Sequence, residues 1–225
     1  MGVVLLVRHG QASFGAADYD VLSETGAEQS RVLGRALAAQ GVAPTTVVHG
    51  RMKRQADTGA AMVDGGGWSV TPELDEGWNE FDHLAVVART LTDSDSDSDG
   101  VTGLDRRGFQ RLFEEATARW AGGEHEDEYD ESWPAFLTRT TAALDRAFDR
   151  PGVTVVVSSG GPIAAVCATL VDPQATADQV PRLWNAFNTV NVNASVTRVL
   201  EGSTGRRLLS FNEHSHLPRE LVTYR

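Results

Sequence analysis

Arg8, His9 and Gly10 stand where an apolar run of the chain ends, and their side chains suit the binding of an anion. The preceding run, Val3–Val7, has the continuous β-branched and apolar pattern of a strand buried on both faces of a parallel sheet. Ligands of open α/β folds bind at the carboxyl ends of such strands. A guanidinium there can hold an anion, and an imidazole can act as a nucleophile. A lone histidine at a strand end also fits a structural role, so both interpretations stay open for the tripeptide by itself.

Buried strands alternate with amphipathic helices along the rest of the chain. The patterns predict strands at Val3–Val7, Thr46–Val48 and Val153–Val157, and helices at about Ser23–Gln40, Met52–Val63, Trp133–Phe148 and Gly161–Val171. Two further runs, Val190–Leu200 and Arg207–Phe211, flank a glycine-containing turn and predict a closing hairpin. This order predicts an α/β fold of three layers, with a mostly parallel central sheet, helices on both faces and an antiparallel edge.

The helix predicted after the second strand has an apolar stripe of its own. Met52, Ala56, Ala60 and Val63 recur at helical spacing and predict the face that is buried. Arg54 lies about 200° around the helix from Met52, so we expect it to point away from that stripe.

Composition and charge exclude several classes of protein. The chain has 225 residues, of which 41% are hydrophobic, and a net charge of −11, so we expect a single globular domain over 1–225 and neither nucleic-acid nor membrane-surface binding. Cys167 is the only cysteine, which excludes an internal disulfide and favours a reducing compartment. No export signal and no apolar stretch long enough to cross a bilayer are visible, so the sequence predicts a cytoplasmic protein.

Residues 82–132 differ from the rest and predict a helical and acidic insertion, or a lid, within that domain. The run 93–100 alternates aspartate with serine and has no core-forming residue, which is typical of an exposed loop. Phe109, Leu112, Phe113, Ala116 and Trp120 then recur at helical spacing. Over 93–131 the chain carries 13 acidic residues against 4 arginines, so this segment holds most of the excess negative charge.

The motifs, taken in order, resemble the histidine phosphatase superfamily, the phosphoglycerate-mutase-like proteins. The matches run across nearly the whole chain, and their order is far more specific than any one of them. They are Arg8-His9-Gly10, the Leu22–Gly26 stretch with Gln29, the second-arginine segment Gly50–Thr58, the acidic segment Trp78–Asp82, and Glu131-Ser132-Trp133 with Arg139.

The resemblance implies a role for each candidate side chain. His9 would be the nucleophile that attacks phosphorus, while Arg8 and Arg54 would bind the phosphate oxygens. Glu80 would be the general acid that protonates the leaving oxygen. Gln11 and Ser13 would contact substrate or hold their own loop by hydrogen bonds. The scheme needs no metal and no cofactor.

The sequence departs from the family pattern at one position of the site. The family ends a later core strand in Ser-His-Gly-Gly, whereas this chain has Ser158-Ser159-Gly160-Gly161, so Ser159 stands where the second histidine is expected. The Ser159 hydroxyl and the amide of Gly160, at a helix N-terminus, can still donate to an anion, although Ser159 is equally suited to cap that helix. His83, His214 and His216 are candidates to replace the missing ring, and a surface or structural role is the alternative for each.

The resemblance implies hydrolysis of a small phosphate monoester through a phosphohistidine at His9, with a small phosphorylated metabolite as the partner. A phosphoglycerate-type mutase is one alternative, disfavoured because Gly15 replaces the asparagine expected after the first motif. A phosphate-binding or regulatory protein with little turnover is another, because of Ser159. The sequence leaves the natural substrate and the oligomeric state open.

Overall fold

The computed structural model of the chain describes residues 2–13, 20–93, 106–123 and 125–224. Within these residues one mixed sheet has six strands in the spatial order β3-β2-β4-β1-β5-β6. The strands are β1 (Gly2–Arg8), β2 (Thr46–His49), β3 (Glu73–Leu74), β4 (Val153–Ser158), β5 (Val196–Gly202) and β6 (Gly205–Glu213). The predicted strands at β1, β2 and β4 are confirmed, whereas β3 was not predicted.

The register of the parallel strands brings their carboxyl ends to one edge of the sheet. β1 pairs with β4 in parallel from Val3 opposite Val153 to Arg8 opposite Ser158. β2 pairs with β4 in parallel on the other side, with His49 opposite Val157. β5 pairs with β1 and β6 in antiparallel fashion. The prediction of a mostly parallel sheet with an antiparallel edge is therefore confirmed, and the residues that follow β1, β2 and β4 meet at the same edge.

The helices form the outer layers. They are α1 (Glu24–Ala39), α2 (Lys53–Gly66), α3 (His83–Asp93), α4 (Arg106–Gly122), α5 (Trp133–Phe148), α6 (Gly160–Val171) and α7 (Gln179–Thr189). Single turns of 3₁₀ helix occur at Glu76–Trp78, Glu126–Glu128 and Arg219–Leu221. None of the helices among the described residues is long and apolar enough to cross a bilayer.

Alternate side chains of β1 enter two separate cores. Leu5 and Val7 pack with Leu33 of α1 and Met62 of α2 on one face of the sheet. Val4 and Leu6 pack on the other face with side chains of α5 and α6. Because a fully buried aliphatic side chain contributes about 1.5–3 kcal/mol, this double burial fixes the position of the strand that carries the candidate site. The three-layer prediction is confirmed.

An aromatic cluster attaches α4 to the rest of the molecule. Phe81 stacks on Trp120 of α4 with ring centroids 4.7 Å apart. Trp133 of α5 and Trp184 of α7 meet Trp120 edge-on, at 5.2 and 6.1 Å. Helix α4 lies where the aromatic spacing predicts a helix. The aspartate and serine run at 94–100 lies outside the described residues, so the lid role of 82–132 stays a prediction.

The prediction of which residues form the buried face of α2 is wrong. The buried face of α2 is formed by Arg54, Gln55, Thr58, Gly59 and Met62, while Ala60, of the predicted stripe, is exposed. The polar residues face inward because they make hydrogen bonds in the candidate site, as described below. This is also why Arg54 is buried.

The predicted strand Val190–Leu200 is shorter than expected, because β5 begins at Val196. Asn191, Asn193 and Ser195 alternate with apolar residues, as residues of a half-buried strand do. In the structure, Asn193 donates to the His9 carbonyl and accepts from Thr223. Ser195 donates to the Asn191 side chain within the loop. Helix α7 precedes this loop and was not predicted.

Candidate active site

His9 lies at the carboxyl end of β1, where two backbone contacts fix the chain. The His9 N–H donates to the carbonyl of Ser158 at the end of β4, at 2.8 Å. The next amide, of Gly10, donates to Thr58 Oγ1 at 2.9 Å. A Cβ atom on Gly10 would stand 2.5 Å from the carbonyl oxygen of Gly26. Glycine is therefore required here, because the first turn of α1 passes directly over the strand end.

The hydrogen bonds of the His9 ring assign its tautomer. Nδ1 lies 2.7 Å from the carbonyl oxygen of Gly10, which can only accept, so Nδ1 carries the hydrogen. Nε2 then has the free electron pair, and it accepts a hydrogen bond from Arg54 Nε at 3.2 Å. Burial, and then the charges of Arg8 and Arg54, lower the pKa of His9 well below its usual value, against the Gly10 carbonyl, which raises it. The ring is therefore a neutral imidazole that carries its free electron pair on Nε2.

Arg54 reaches His9 from the first turn of α2 and is held by an acidic partner. Its Nη1 donates to Asp20 Oδ1 at 2.7 Å. The other carboxylate oxygen of Asp20 accepts from the backbone N–H of Lys53 at 2.9 Å, so Asp20 also neutralises the positive end of the helix. Asp20 was not identified from the sequence. It directs the guanidinium toward His9.

Arg8 precedes His9 and turns toward the carboxyl-terminal part of the chain. Its guanidinium donates to the carbonyl oxygen of Asn191 and, at 3.5 Å, to that of Tyr224. Its positive charge acts on both His9 and Glu80. The charges of Arg8 and Arg54 thus act on both His9 and Glu80, while the shared catalytic role of the four residues stays a prediction.

Glu80 contributes a carboxyl group from the loop that follows the first 3₁₀ turn. Its Oε1 accepts from the backbone N–H of Phe81, and its Oε2 accepts from that of Gly161 in the first turn of α6, both at 3.1 Å. A Cβ atom on Gly161 would overlap Glu80 Oε1 at 2.1 Å, so any larger residue at this position would displace the carboxyl. Burial raises the pKa of Glu80, although the two N–H groups and the charges of Arg54 and Arg8 act in the opposite direction. Glu80 therefore keeps its proton to higher pH than an ordinary glutamic acid.

Ser159 is buried at the start of α6, where it meets a residue that sequence reasoning missed. Its hydroxyl oxygen accepts from Gln55 Nε2 at 2.9 Å, and Met52 Sδ lies 4.0 Å away. Ser159 occupies the N-cap position of α6, but its side chain makes no capping hydrogen bond. Gln55 directly follows Arg54 in the sequence, and this position next to a candidate residue was the only signal that could have identified it.

Gln11 and Ser13 make hydrogen bonds within their loop. The side-chain oxygen of Gln11 accepts from Ser23 Oγ at 3.1 Å, and its N–H donates to Gln29 Oε1 at 2.8 Å. The N–H of Ser13 donates to the carbonyl of Val21 at 2.8 Å. These contacts correspond to the structural alternative for both residues.

The N-terminus of α6 is closely packed at Gly160. A Cβ atom on Gly160 would stand 2.6 Å from Asn188 Oδ1, so α7 reaches this end of the site.

The three alternative histidines have other partners than Ser159. His214 Nδ1 lies 2.7 Å from the carbonyl oxygen of Asn212, and His216 Nε2 lies 3.0 Å from that of Ala194. The ring of His83 meets Phe113 edge-on, and burial lowers the pKa of His83. Among the residues that the structure describes, no group of three or more histidine, cysteine or acidic side chains is arranged to hold a metal ion.

The chain resembles known proteins in its sequence pattern and in its fold. The family model of the histidine phosphatase superfamily (branch 1) matches residues 4–214. None of the curated proteins matches the chain.

Among solved structures, the chain is similar to a phosphoglycerate mutase from Bacillus anthracis, with 18% identity, a TM-score of 0.62, and 96% of this chain and 94% of that one covered. It is similar to a phosphoserine phosphatase from Entamoeba histolytica in complex with phosphoserine, with 17% identity, a TM-score of 0.60, and coverage of 97% and 100%. A mycobacterial glucosyl-3-phosphoglycerate phosphatase has 21% identity and a TM-score of 0.63, with coverage of 95% and 100%. At these identities the likeness shows the shared fold alone.

Proposed function

Since the chain belongs to the histidine phosphatase superfamily, branch 1, we propose that it hydrolyses a small phosphate monoester through a phosphohistidine intermediate at His9, without a metal. The observation that carries the proposal is the neutral His9 ring, whose Nε2 lies 3.2 Å from the Arg54 guanidinium. The proposed nucleophile, Nε2 of His9, thus lies in hydrogen-bond contact with the Arg54 guanidinium, a cation suited to bind phosphate oxygens. A small phosphorylated metabolite is the proposed substrate class.

In the first step, Nε2 attacks phosphorus and the bond from phosphorus to the ester oxygen breaks. The substrate must first displace the Arg54 Nε–H from the Nε2 electron pair, after which the guanidinium can donate to the phosphate oxygens instead. Arg8 adds positive charge beside the transferred group. Both cations stabilise the negative charge that spreads over the phosphoryl oxygens.

Glu80 is the proposed general acid. Its proton passes to the leaving oxygen as the ester bond breaks, and its raised pKa supports the protonated form that this step needs. In the second step, Glu80 accepts a proton from water as the water oxygen attacks the phosphohistidine. The bond from phosphorus to Nε2 breaks and its electron pair returns to the ring, so inorganic phosphate is released and both neutral His9 and protonated Glu80 are regenerated.

Ser159 supports a second candidate, a phosphate-binding protein with little turnover. Its hydroxyl is a neutral group bound to the neutral amide of Gln55, where the family pattern has a histidine. Losing one donor from such a site typically reduces kcat by about 10²–10³-fold. The mutase alternative stays disfavoured by Gly15, which stands in place of the asparagine expected after the first motif and lies outside the described residues.

Rapid quench into alkaline detergent, in which the acid-labile bond from phosphorus to nitrogen survives, with a ³²P-labelled monoester tests the proposal. We expect label on the wild-type protein, chased off with single-turnover kinetics that match kcat, and no label on His9→Ala. Phosphate bound reversibly without covalent label would favour the binding protein. Turnover that depends on 2,3-bisphosphoglycerate, with label passed to an acceptor, would favour the mutase.

A further inference from the structure

Arg139 holds together two segments that are distant in sequence. It lies in the second turn of α5, and its Nε and Nη2 donate to the two carboxylate oxygens of Glu131 at 2.6 and 2.8 Å. The third edge of the same guanidinium, Nη1, donates to the carbonyl oxygens of Gly77 at 2.8 Å and Asn79 at 2.9 Å. We refer to Arg139, Glu131 and these two carbonyls as the Arg139 clamp.

The clamped carbonyls belong to the segment that leads into Glu80. Asn79 is the residue immediately before it, and Gly77 lies three residues before it. The Glu80 carboxyl itself is held by two backbone N–H groups, of Phe81 and Gly161. Because Glu80 follows Asn79 directly in the chain, the position of its side chain also depends on where the backbone at 77–79 lies, and the clamp ties that backbone to α5.

The chemistry of the clamp requires a guanidinium. Two parallel N–H groups satisfy the Glu131 carboxylate, and the N–H groups that remain reach both carbonyls at the same time. A lysine ammonium has no fork and cannot keep all of these contacts. The pair is also partly buried, with side-chain exposures of 25% for Arg139 and 31% for Glu131, so water screens it less than a surface pair.

We propose that Arg139, oriented by Glu131, is the positioning residue for the general acid Glu80. It acts through the backbone at 77–79 and sets the distance from the Glu80 proton to the leaving oxygen. This inference rests on the proposed function. The inference adds that acid catalysis depends on Arg139, whose described hydrogen bonds go to Glu131 and to the backbone carbonyls of Glu76, at 3.5 Å, Gly77 and Asn79.

The leaving group of the substrate separates positioning of the acid from other effects. An alkoxide is a poor leaving group and must receive the Glu80 proton as its bond to phosphorus breaks. The p-nitrophenolate ion is stable without that proton. A misplaced Glu80 therefore slows hydrolysis of an alkyl phosphate and leaves hydrolysis of p-nitrophenyl phosphate nearly intact.

The experiment compares kcat for glycerol 2-phosphate and for p-nitrophenyl phosphate in Arg139→Lys and Glu131→Gln. For Arg139→Lys we expect kcat to fall by about 10–10²-fold with the alkyl ester and by less than about 3-fold with the aryl ester, because a displacement near 1 Å has effects of this size. Glu131→Gln should show the same selectivity with a smaller loss. The control is Arg198→Lys, which weakens an ion pair with Glu213 on the sheet edge and should leave both rates unchanged. Thermal unfolding of each variant shows that the fold is retained.

Equal losses with both esters would overturn the inference, since that is the effect of general destabilisation. A rise in KM for both esters with kcat unchanged would also overturn it, because Arg139 would then bind substrate directly. Glu80→Gln separates a failure of the proposed acid role of Glu80 from a failure of the clamp inference alone. If that variant shows no dependence on the leaving group, the acid role of Glu80 fails and the clamp inference fails with it; if only the Arg139 variants lack the dependence, the clamp inference alone fails.

Discussion

Strands β1 and β4 lie side by side and end at the same edge of the sheet, but the residues that follow them differ in charge. After β1, the electron pair of His9 accepts from the Arg54 guanidinium, and the charge of Arg8 also acts on the ring. After β4, the hydroxyl of Ser159 accepts from the neutral amide of Gln55. The β1 half of the site therefore supplies cations, and the β4 half supplies neutral dipoles.

This difference in charge indicates which half of the site binds phosphate and which half assists proton transfer. Phosphate is an anion, and charged hydrogen bonds to it are about twice as strong as neutral ones. We expect the β1 half to control phosphate binding and nucleophilic attack. The β4 half places the amide N–H of Gly161 against Glu80 and so holds the carboxyl in position, although this N–H lowers the pKa of Glu80. The effects of substitutions in the two halves should therefore differ in size and in which measured quantity they change.

The largest effect is expected for His9→Ala, which removes the nucleophile. The rate of p-nitrophenyl phosphate hydrolysis should fall by on the order of 10⁴-fold or more, as for other catalytic nucleophiles. Initial rates measure the loss, and circular dichroism shows that the fold persists. His125→Ala, which removes a partly exposed ring paired with Glu128, is the control. A variant that turns over as fast as the wild type would remove His9 from the mechanism.

Glu80→Gln should reduce kcat for glycerol 2-phosphate by about 10²–10⁴-fold and change the pH profile. The active form needs a neutral His9, so activity rises with pH through the lowered pKa of His9. It also needs a protonated Glu80, so activity falls as pH rises through the raised pKa of Glu80.

We therefore expect a profile with two limbs in the wild type and loss of the alkaline limb in Glu80→Gln. Glu73→Gln, on the exposed edge strand, should keep both limbs. An alkaline limb that persists unchanged in Glu80→Gln would assign it to another group.

Arg54→Ala should lower kcat/KM by about 10²–10³-fold, because a fixed cation at the transferred phosphoryl group is lost. The inhibition constant for inorganic phosphate should rise as well, since the Asp20 carboxylate is left facing the site. Arg31→Ala, which removes an exposed ion pair with Glu28, is the matched control. An unchanged phosphate inhibition constant would mean that the β1 half does not supply the binding charge.

The fold was predictable from sequence where apolar periodicity is strong. β1, β2 and β4 are almost purely apolar or β-branched, and such strands are recognisable without knowledge of their neighbours. The buried face of α2 was not, since Gln55 and Thr58 are inside to make hydrogen bonds with Ser159 and Gly10. Periodicity assigns polar residues to the surface, so it fails where the buried face of a helix belongs to a site.

The site was predictable as a set of residue types, but its hydrogen bonds were not. Motif order assigned His9 and Arg54 to one place, and the structure brings them within hydrogen-bond distance across 45 positions. Asp20 and the Arg139 clamp bind partners 34 and about 60 positions away. Nothing in local spacing fixes such pairs, because they follow from how the helices pack on the sheet.

Ser159→Ala should have the smallest effect on catalysis and a measurable effect on stability. Gln55 is fully buried, and the substitution removes the nearer of two acceptors of its amide, at 2.9 Å, and leaves the Trp78 carbonyl at 3.5 Å, so the free energy of unfolding should fall by about 1–3 kcal/mol. A neutral hydroxyl contributes about 0.5–1.5 kcal/mol per hydrogen bond, so kcat/KM should fall by less than ~10-fold. Urea unfolding and steady-state kinetics give the two quantities, with Ser203→Ala in the β5–β6 turn as the control. A catalytic loss as large as that of Arg54→Ala, with stability unchanged, would show that the β4 half binds the phosphate as strongly as the β1 half, and the division of labour between them would be wrong.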